Sequence, residues 1–303
     1  MVHWKPVTGV LPPLDDAAWQ DAFRAYQQSP EYQKVNAHMD VHDFKEIFWL
    51  EYLHRLLGRI IGIVFLVPFL IFAARGYIQR SEWPRYLAMF VLGGLQGVLG
   101  WWMVKSGLVD RPEVSQYRLT AHLVAALLIY AFMFWVALSL LYPRKSDSRH
   151  AWFGKASAVT GMIAVTIISG GFVAGLKAGK VFNSFPMMGD YWIPPGVMAL
   201  SPPWRNFFDN PALVQFDHRV LAISTFLIII LSWFALGKTK YPARAARARH
   251  LLLAAAVLQV SLGISTLLLH VPILLAASHQ AVAVLLLSAA LYLTHSLRDG
   301  GAA

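Results

Sequence analysis

Four histidines lie near the start of long apolar runs of the sequence, where a polar side chain is not expected. They are His54, His122, His218 and His279. An ionisable residue inside a bilayer is costly and is a functional-site hypothesis by default. A single histidine in such a place is explained equally well as a hydrogen-bonded packing residue. Four histidines at the same depth in the membrane favour metal ligation. Imidazoles facing each other across a helix bundle commonly hold haem iron, so the pattern predicts two haem sites, His54 with His122 and His218 with His279.

The neighbours of these histidines favour haem over zinc. An arginine follows the first histidine of each pair, Arg55 in one case and Arg219 in the other. A guanidinium there could bind a haem propionate, or it could extend to lipid headgroups. The chain has no cysteine, and no further carboxylate completes a tetrahedral zinc set in the second half.

One difference between the two pairs predicts which of them reacts. Glu51 stands three residues before His54, whereas Gln215 occupies the matching place before His218. Residues three apart share a helix face, so only the first pair has a carboxylate beside it. We expect Glu51 to deliver protons or to stabilise a developing positive charge. The alternative is an ion pair with Arg55, four residues further on.

The sequence contains an internal repeat. Gln96 follows His54 after 42 residues, and Gln259 follows His218 after 41. Four strings recur in the same order: a Pro-x-x-Gly loop followed by Pro-Pro, then EYLHR and QFDHR, then LQGVLG and LQVSLG, then TAHLVAALL and ASHQAVAVL. Shared order and spacing indicate two homologous halves.

The composition indicates a membrane protein made of helices. Hydrophobic residues are 57% and charged residues 14%, well below the charge content of about 25% in soluble proteins. The net charge of +10 comes from basic residues between apolar runs, which excludes a nucleic-acid surface. Seven runs are long enough to span a bilayer: Leu56–Ala74, Tyr86–Val104, Leu119–Leu141, Ala156–Leu176, Val214–Leu236, His250–Leu269 and Ile273–Leu293.

The loops predict an orientation and a domain division. Lys and Arg concentrate after the first, third and fifth runs, so we expect those loops and the C-terminus in the cytoplasm and the haem sites near the outer face. The second half has a hydrophobic run before its Pro-x-x-Gly loop and the first half has none, so the first helix of an eight-helix architecture is expected to be missing. The predicted domains are an outer segment, 1–53, and two pseudo-symmetric bundles, 54–145 and 146–303.

The outer segment itself is predicted to hold interfacial helices. Asp15 can cap a short helix whose Trp19, Phe23 and Tyr26 share one face. Aromatic residues on such a face are typical of an anchor at the membrane surface. A second helix is predicted to start near Asp43 and to continue into the first span.

The chain resembles the haem A synthase family, which makes haem A for terminal oxidases. The resemblance covers essentially the whole chain and is carried by WKPVTGVLPP, FKEIFWLEYLHRLLGRIIG, SQYRLTAH, GGFVAGLKAGKVFNSFPMMGDYWIP, QFDHR and the His279 region. It implies eight helices in two four-helix halves, and oxidation of the C8 methyl of haem O to a formyl group by successive hydroxylations. Some members carry a cysteine pair in outer loops that this chain lacks.

The resemblance also implies roles for the residues already singled out. His54 and His122 would serve the substrate haem O, and His218 and His279 would bind a haem b cofactor that supplies electrons. The family's important glutamate falls on Glu51. As an alternative function, the same arrangement of histidines suits a dihaem b-type membrane electron-transfer protein that modifies no haem.

The expected location is a bacterial cytoplasmic (inner) membrane, because the N-terminus carries no mitochondrial signal. The expected partners are the lipid bilayer, haem O, the haem O synthase that supplies it, and an unidentified electron donor. No nucleic acid is expected, and a homo-oligomer is left open. A transporter is disfavoured, because the repeat is parallel and its Pro-x-x-Gly loops lie outside the membrane rather than at its midplane.

Overall fold

The computed structural model describes residues 11–107, 114–144 and 147–299. Over these residues the chain is helical and contains no β-strand, as the composition predicts. The α-helices are α1 Asp16–Gln27, α2 Val41–Ala74, α3 Trp83–Gly107, α4 Gln116–Leu141, α5 Phe153–Gly175, α6 Asn206–Asp209, α7 Pro211–Leu236, α8 Ala243–Leu268 and α9 Ile273–Ser296.

Seven of the described helices, α2 to α5 and α7 to α9, are long and apolar enough to cross a membrane. Each helix contains one of the seven predicted runs almost entirely. The helix ends lie within a few residues of the predicted ends, except that α2 and α8 begin earlier than predicted. Helices suit this environment because every backbone N–H and C=O pairs within the segment. The prediction of an all-helical, multi-pass membrane protein is therefore confirmed.

Helix α2 begins outside the apolar run and continues into it without a break, as predicted. Its first turn is closed by a capping box, in which the Asp40 carboxylate accepts from the backbone N–H groups of His42 and Asp43. These hydrogen bonds hold the pKa of Asp40 below its usual value, and the bond from Asp43 has the larger effect. The 34-residue helix thus joins the N-terminal segment to the first span.

The aromatic face of α1 is buried in protein, which corrects its interpretation as a membrane anchor. The helix is capped by Asp15, as predicted. Its Trp19, however, packs edge-on against Phe48, with ring centroids 4.8 Å apart, and Tyr26 stacks on Phe44 at 5.1 Å. Aromatic burial and ring pairing stabilise this contact between α1 and the start of α2. The sequence pattern identified the face but not its partner.

The chain forms two compact units, Met1–Arg118 and Leu119–Ala303. In the second unit α8 packs along α9, while α5 packs against both α7 and α9. Helix α4 joins this unit through the Tyr130 hydroxyl, which lies 2.6 Å from that of Ser288 on α9. The predicted domain boundaries after residues 53 and 145, and the pseudo-symmetry of two bundles, stay predictions.

One histidine near the C-terminus, where a solvated or interfacial side chain is expected, is buried instead. His295, in the last turn of α9, is fully buried, and its Nε2 lies 3.2 Å from the Ser139 hydroxyl of α4. Arg298 donates to the same hydroxyl at 2.8 Å. The sequence could not reveal this, because the partners are more than 150 residues away along the chain.

Candidate functional site

His218 on α7 and His279 on α9 each pack against a glycine of a neighbouring helix. A Cβ added to Gly170 of α5 would lie 3.1 Å from Cε1 of His218. A Cβ added to Gly263 of α8 would lie 2.9 Å from Cε1 of His279. Carbon atoms in good contact are about 3.5–4.0 Å apart, so any larger residue would displace the ring. We call these two contacts the glycine seats.

The tautomer of His218 follows from its hydrogen bonds. The hydroxyl oxygen of Ser169 lies 2.7 Å from Nδ1 of His218. The same hydroxyl donates its proton to the carbonyl of Thr166, also at 2.7 Å. Since a serine hydroxyl has one proton and the Thr166 carbonyl also acts on the ring as an acceptor, this arrangement favours the tautomer protonated at Nδ1. Nε2 therefore carries the lone pair, which is the form in which imidazole binds a metal.

His279 has a looser polar environment. Its Nε2 lies 3.4 Å from the amide nitrogen of Gln259, a distance at which a hydrogen bond is weak. The ring also lies near the backbone carbonyl of Gln259, while the side-chain Oε1 of Gln259 is buried with no hydrogen-bond partner among the described residues. Buried polar atoms are usually paired, so this orphaned oxygen fits a site that accepts a further group.

The residues present fit a bis-histidine haem. The imidazoles of His218 and His279 come from different helices and are near enough to interact electrostatically. In the part of the chain that the structure describes, no group of three or more His, Cys, Asp or Glu could hold a bare metal ion. Two neutral imidazoles instead suit an iron whose other four positions belong to a porphyrin. A cleft of about 500 Å³ between α5 and α7 holds no histidine or carboxylate.

Arg219 points at backbone carbonyls of the loop between α5 and α7. Its two terminal nitrogens donate to Ser184 O and Phe182 O, each at 2.9 Å, and more weakly to Met187 O at 3.3 Å. Gln215, which is 3% exposed, donates to the same Phe182 carbonyl at 2.9 Å. The predicted propionate contact of Arg219 stays a prediction, but the loop contact is the one its guanidinium makes here.

Asparagines bind the same loop to α8 and to itself. The Asn183 amide donates to the carbonyls of Gly179 and Leu267, the latter near the end of α8. Further along the loop, fully buried Asn206 exchanges hydrogen bonds with both backbone groups of Leu200. Buried amide groups that are hydrogen-bonded in this way make a segment rigid. The loop therefore forms an ordered cover at the end of the unit where α7 begins.

In the first unit, Glu51 and Arg55 of α2 form the ion pair that the sequence offered as an alternative role. Arg55 Nη1 and Glu51 Oε1 are 2.9 Å apart, and both side chains are less than one-third exposed. Glutamate preceding arginine by four residues is the favourable order on a helix. His54 is exposed on the same helix. The ion pair lies beside this histidine, and the catalytic role of Glu51 stays a prediction.

Glu31 is a second carboxyl near this site that the sequence did not single out. Burial raises the pKa of Glu31 above its usual value, and the negative charge of Glu51 raises it further. The residue lies between α1 and α2, twenty positions from Glu51. No periodicity or motif marks it, so the tertiary fold alone reveals it.

His122 lies on α4 in the second unit, where its side chain is half-buried. His54 belongs to the first unit. The pairing of these two histidines rests on the sequence repeat and stays a prediction.

Comparison with known proteins identifies the family. A model of the COX15-CtaA family, described as cytochrome oxidase assembly protein, matches residues 1–291. Heme A synthase of Nitrosospira multiformis is 47% identical over 98% of this chain and 85% of its own length. Heme A synthase of Paramagnetospirillum magneticum is 45% identical over 98% of this chain and 85% of its own length. Human heme A synthase COX15 is 44% identical over 98% of this chain and 75% of its own length. This helical membrane protein, with its paired histidines, therefore belongs to the COX15-CtaA family of cytochrome oxidase assembly proteins.

Proposed function

We propose that this membrane enzyme, a haem A synthase by its family, oxidises the C8 methyl of haem O to a formyl group by successive hydroxylations. His218 and His279 would hold haem b, and His54 and His122 would hold the substrate. When bound, haem b would supply electrons to the oxidation. The observation that carries the proposal is the pair of glycine seats, each of which holds one imidazole against a neighbouring helix.

The protein's contribution at the second histidine pair is orientation. Ser169 accepts from Nδ1 of His218 and so fixes the tautomer that presents Nε2 as a ligand. His279 has only weak polar contacts with Gln259, so its ring orientation depends more on packing against Gly263. The two histidines thus differ in what holds them, although both are pressed against glycine.

At the first pair, Glu51 would hold or transfer a proton and stabilise positive charge that develops on the substrate. Its ion pair with Arg55 directs the carboxylate along the helix. Burial raises the pKa of nearby Glu31 above its usual value, so this carboxyl binds a proton more readily than an exposed glutamate does. The Gln215 of the second pair offers no such charge, in keeping with a permanent cofactor site.

The proposed setting is the bacterial cytoplasmic membrane, with both histidine pairs near the outer face and the C-terminus in the cytoplasm. The distribution of Lys and Arg among the loops supports this orientation. The proposed partners are a haem O synthase that supplies the substrate and an electron donor.

The decisive experiment compares the haems bound to purified wild-type protein and to two variants, each co-expressed with a source of haem O. Glu51→Gln should block haem A formation while haem b remains bound. Glu46→Gln, an exposed position on the same helix, is the matched control and should leave product unchanged. Extraction and mass-resolved chromatography identify each haem.

Two outcomes would contradict the proposal. Haem A formation that persists in Glu51→Gln removes the role of that carboxylate. Wild-type protein that carries only haem b, however much haem O is supplied, favours the alternative, a dihaem b-type electron-transfer protein.

A further inference from the structure

A short stretch of the loop between α5 and α7 is held on α7 through its own carbonyl groups. We call residues 182–187 the covering loop. Three of its carbonyls, those of Phe182, Ser184 and Met187, accept hydrogen bonds from Gln215 or Arg219. Because a carbonyl attracts a donor and repels another acceptor, the loop can be held this way only by donor side chains.

Both donors are removed from water. Gln215 is 3% exposed and Arg219 is half-buried. A buried donor that loses its partner is left unsatisfied, which makes the attached state strongly favoured over an open one. The charge of Arg219 strengthens its bonds to the carbonyls.

The equivalent positions in the first half show what a single change of residue type does. There Glu51 takes the place of Gln215, and its carboxylate binds Arg55, the counterpart of Arg219, with a separation of 2.9 Å. An acid at position 215 would face the Phe182 carbonyl with an acceptor and would attract the guanidinium of Arg219. An acid at position 215 would therefore compete with the loop carbonyls for the guanidinium of Arg219.

The covering loop lies at the end of the unit where both histidines are found. His218 stands between Gln215 and Arg219 on α7. The loop also reaches α8 through Asn183, which donates to the Leu267 carbonyl at 2.8 Å. A single segment is thus fastened to the first turns of α7 and the last turn of α8.

We propose that Gln215 and Arg219 are positioning residues that keep the covering loop closed over the second histidine pair and so fix the ligand geometry of His218. The closure of the loop is a property of the protein alone. Its effect on a bound haem rests on the proposed function, so the two parts are tested by different measurements.

The first measurement is trypsin cleavage after Lys180, which is exposed and lies two residues before the covering loop. In the detergent-solubilised full-length protein, Gln215→Glu should speed this cleavage by about tenfold or more, the effect of losing a charge-assisted hydrogen bond. Gln215→Met, which removes the donor without adding charge, should give a smaller increase. Arg205→Gln is the matched control, because Arg205 pairs with Asp209, and cleavage after Lys180 in this variant should match wild type.

The second measurement is the absorption spectrum and reduction potential of the haem in the purified proteins. Loosening of His218 in Gln215→Glu should shift both relative to wild type and to Arg205→Gln. Cleavage after Lys180 that is equally slow in Gln215→Glu and wild type would overturn the loop attachment. Faster cleavage with an unchanged spectrum and potential would overturn the positioning role. A wild-type protein without a bis-histidine spectrum would refute the proposed function while leaving the cleavage result valid.

Discussion

Replacing Gly263 by alanine tests whether His279 is held by its glycine seat. The new Cβ would lie 2.9 Å from Cε1 of the ring, so the imidazole must retreat by about 0.6 to 1.1 Å to regain normal contact. Overpacking of this kind costs about 1–3 kcal/mol. Since a factor of ten corresponds to about 1.4 kcal/mol, haem at this site should bind roughly 5 to 150 times more weakly.

Gly170→Ala provides a graded comparison. Its Cβ would lie 3.1 Å from His218, so the displacement and the loss of haem should be smaller than for Gly263→Ala. Gly161, also on α5, has no atom within 4 Å of its added Cβ. Gly161→Ala should therefore bind haem normally and gain about 0.5–1 kcal/mol in helix stability.

The assay is titration of haem into purified protein, followed by the low-spin absorption band and by haem content per polypeptide. The expected order of haem loss is Gly263→Ala, then Gly170→Ala, with Gly161→Ala equal to wild type. Equal haem affinity in all three variants would refute the conclusion that the seats position iron ligands.

Three further predictions concern groups outside the seats. Ser169→Ala removes the acceptor at Nδ1 of His218 and should weaken haem binding roughly ten- to a hundredfold, measured by the same titration; unchanged affinity would contradict the assigned tautomer. The pKa of Glu31 is raised by burial, so the folded state binds its proton more tightly, and stability should rise as the pH falls from neutral through that pKa. In Glu31→Gln, the stability measured by thermal unfolding should depend less on pH in this range. An unchanged pH dependence would contradict the prediction. His295→Leu removes the contact between the buried imidazole and the Ser139 hydroxyl and should cost about 0.5–1.5 kcal/mol in chemical unfolding, and a stability equal to wild type would show the contact to be unimportant.

Local sequence pattern is enough to predict most of the helices. Apolar runs of about 20 residues predict spans because backbone groups must pair within the segment in hydrocarbon, and seven described helices contain those runs. The cap of α1 at Asp15 and the continuity of α2 through its 34 residues followed from equally local signals. The internal repeat also singled out His218 and His279 as partners.

The surroundings of those histidines depended on contacts between distant parts of the chain. Ser169 lies 49 residues from His218 and fixes its tautomer, and no repeat string contains it. Gly263 was visible as part of LQVSLG, but its role against His279 was not, since the sequence does not say which helix faces which. The aromatic face of α1 was predicted correctly and given the wrong partner for the same reason.

The sequence by itself determined that this chain spans a membrane with seven apolar helices and carries histidines near the starts of four of them, because hydrophobic length and residue type act locally. Only the tertiary structure decided how those histidines are held. The glycine seats, the Ser169 hydrogen bond and the attachment of the covering loop to Gln215 and Arg219 each join residues from different helices or loops. Their formation depends on packing and on the pairing of buried polar groups, which no single segment specifies.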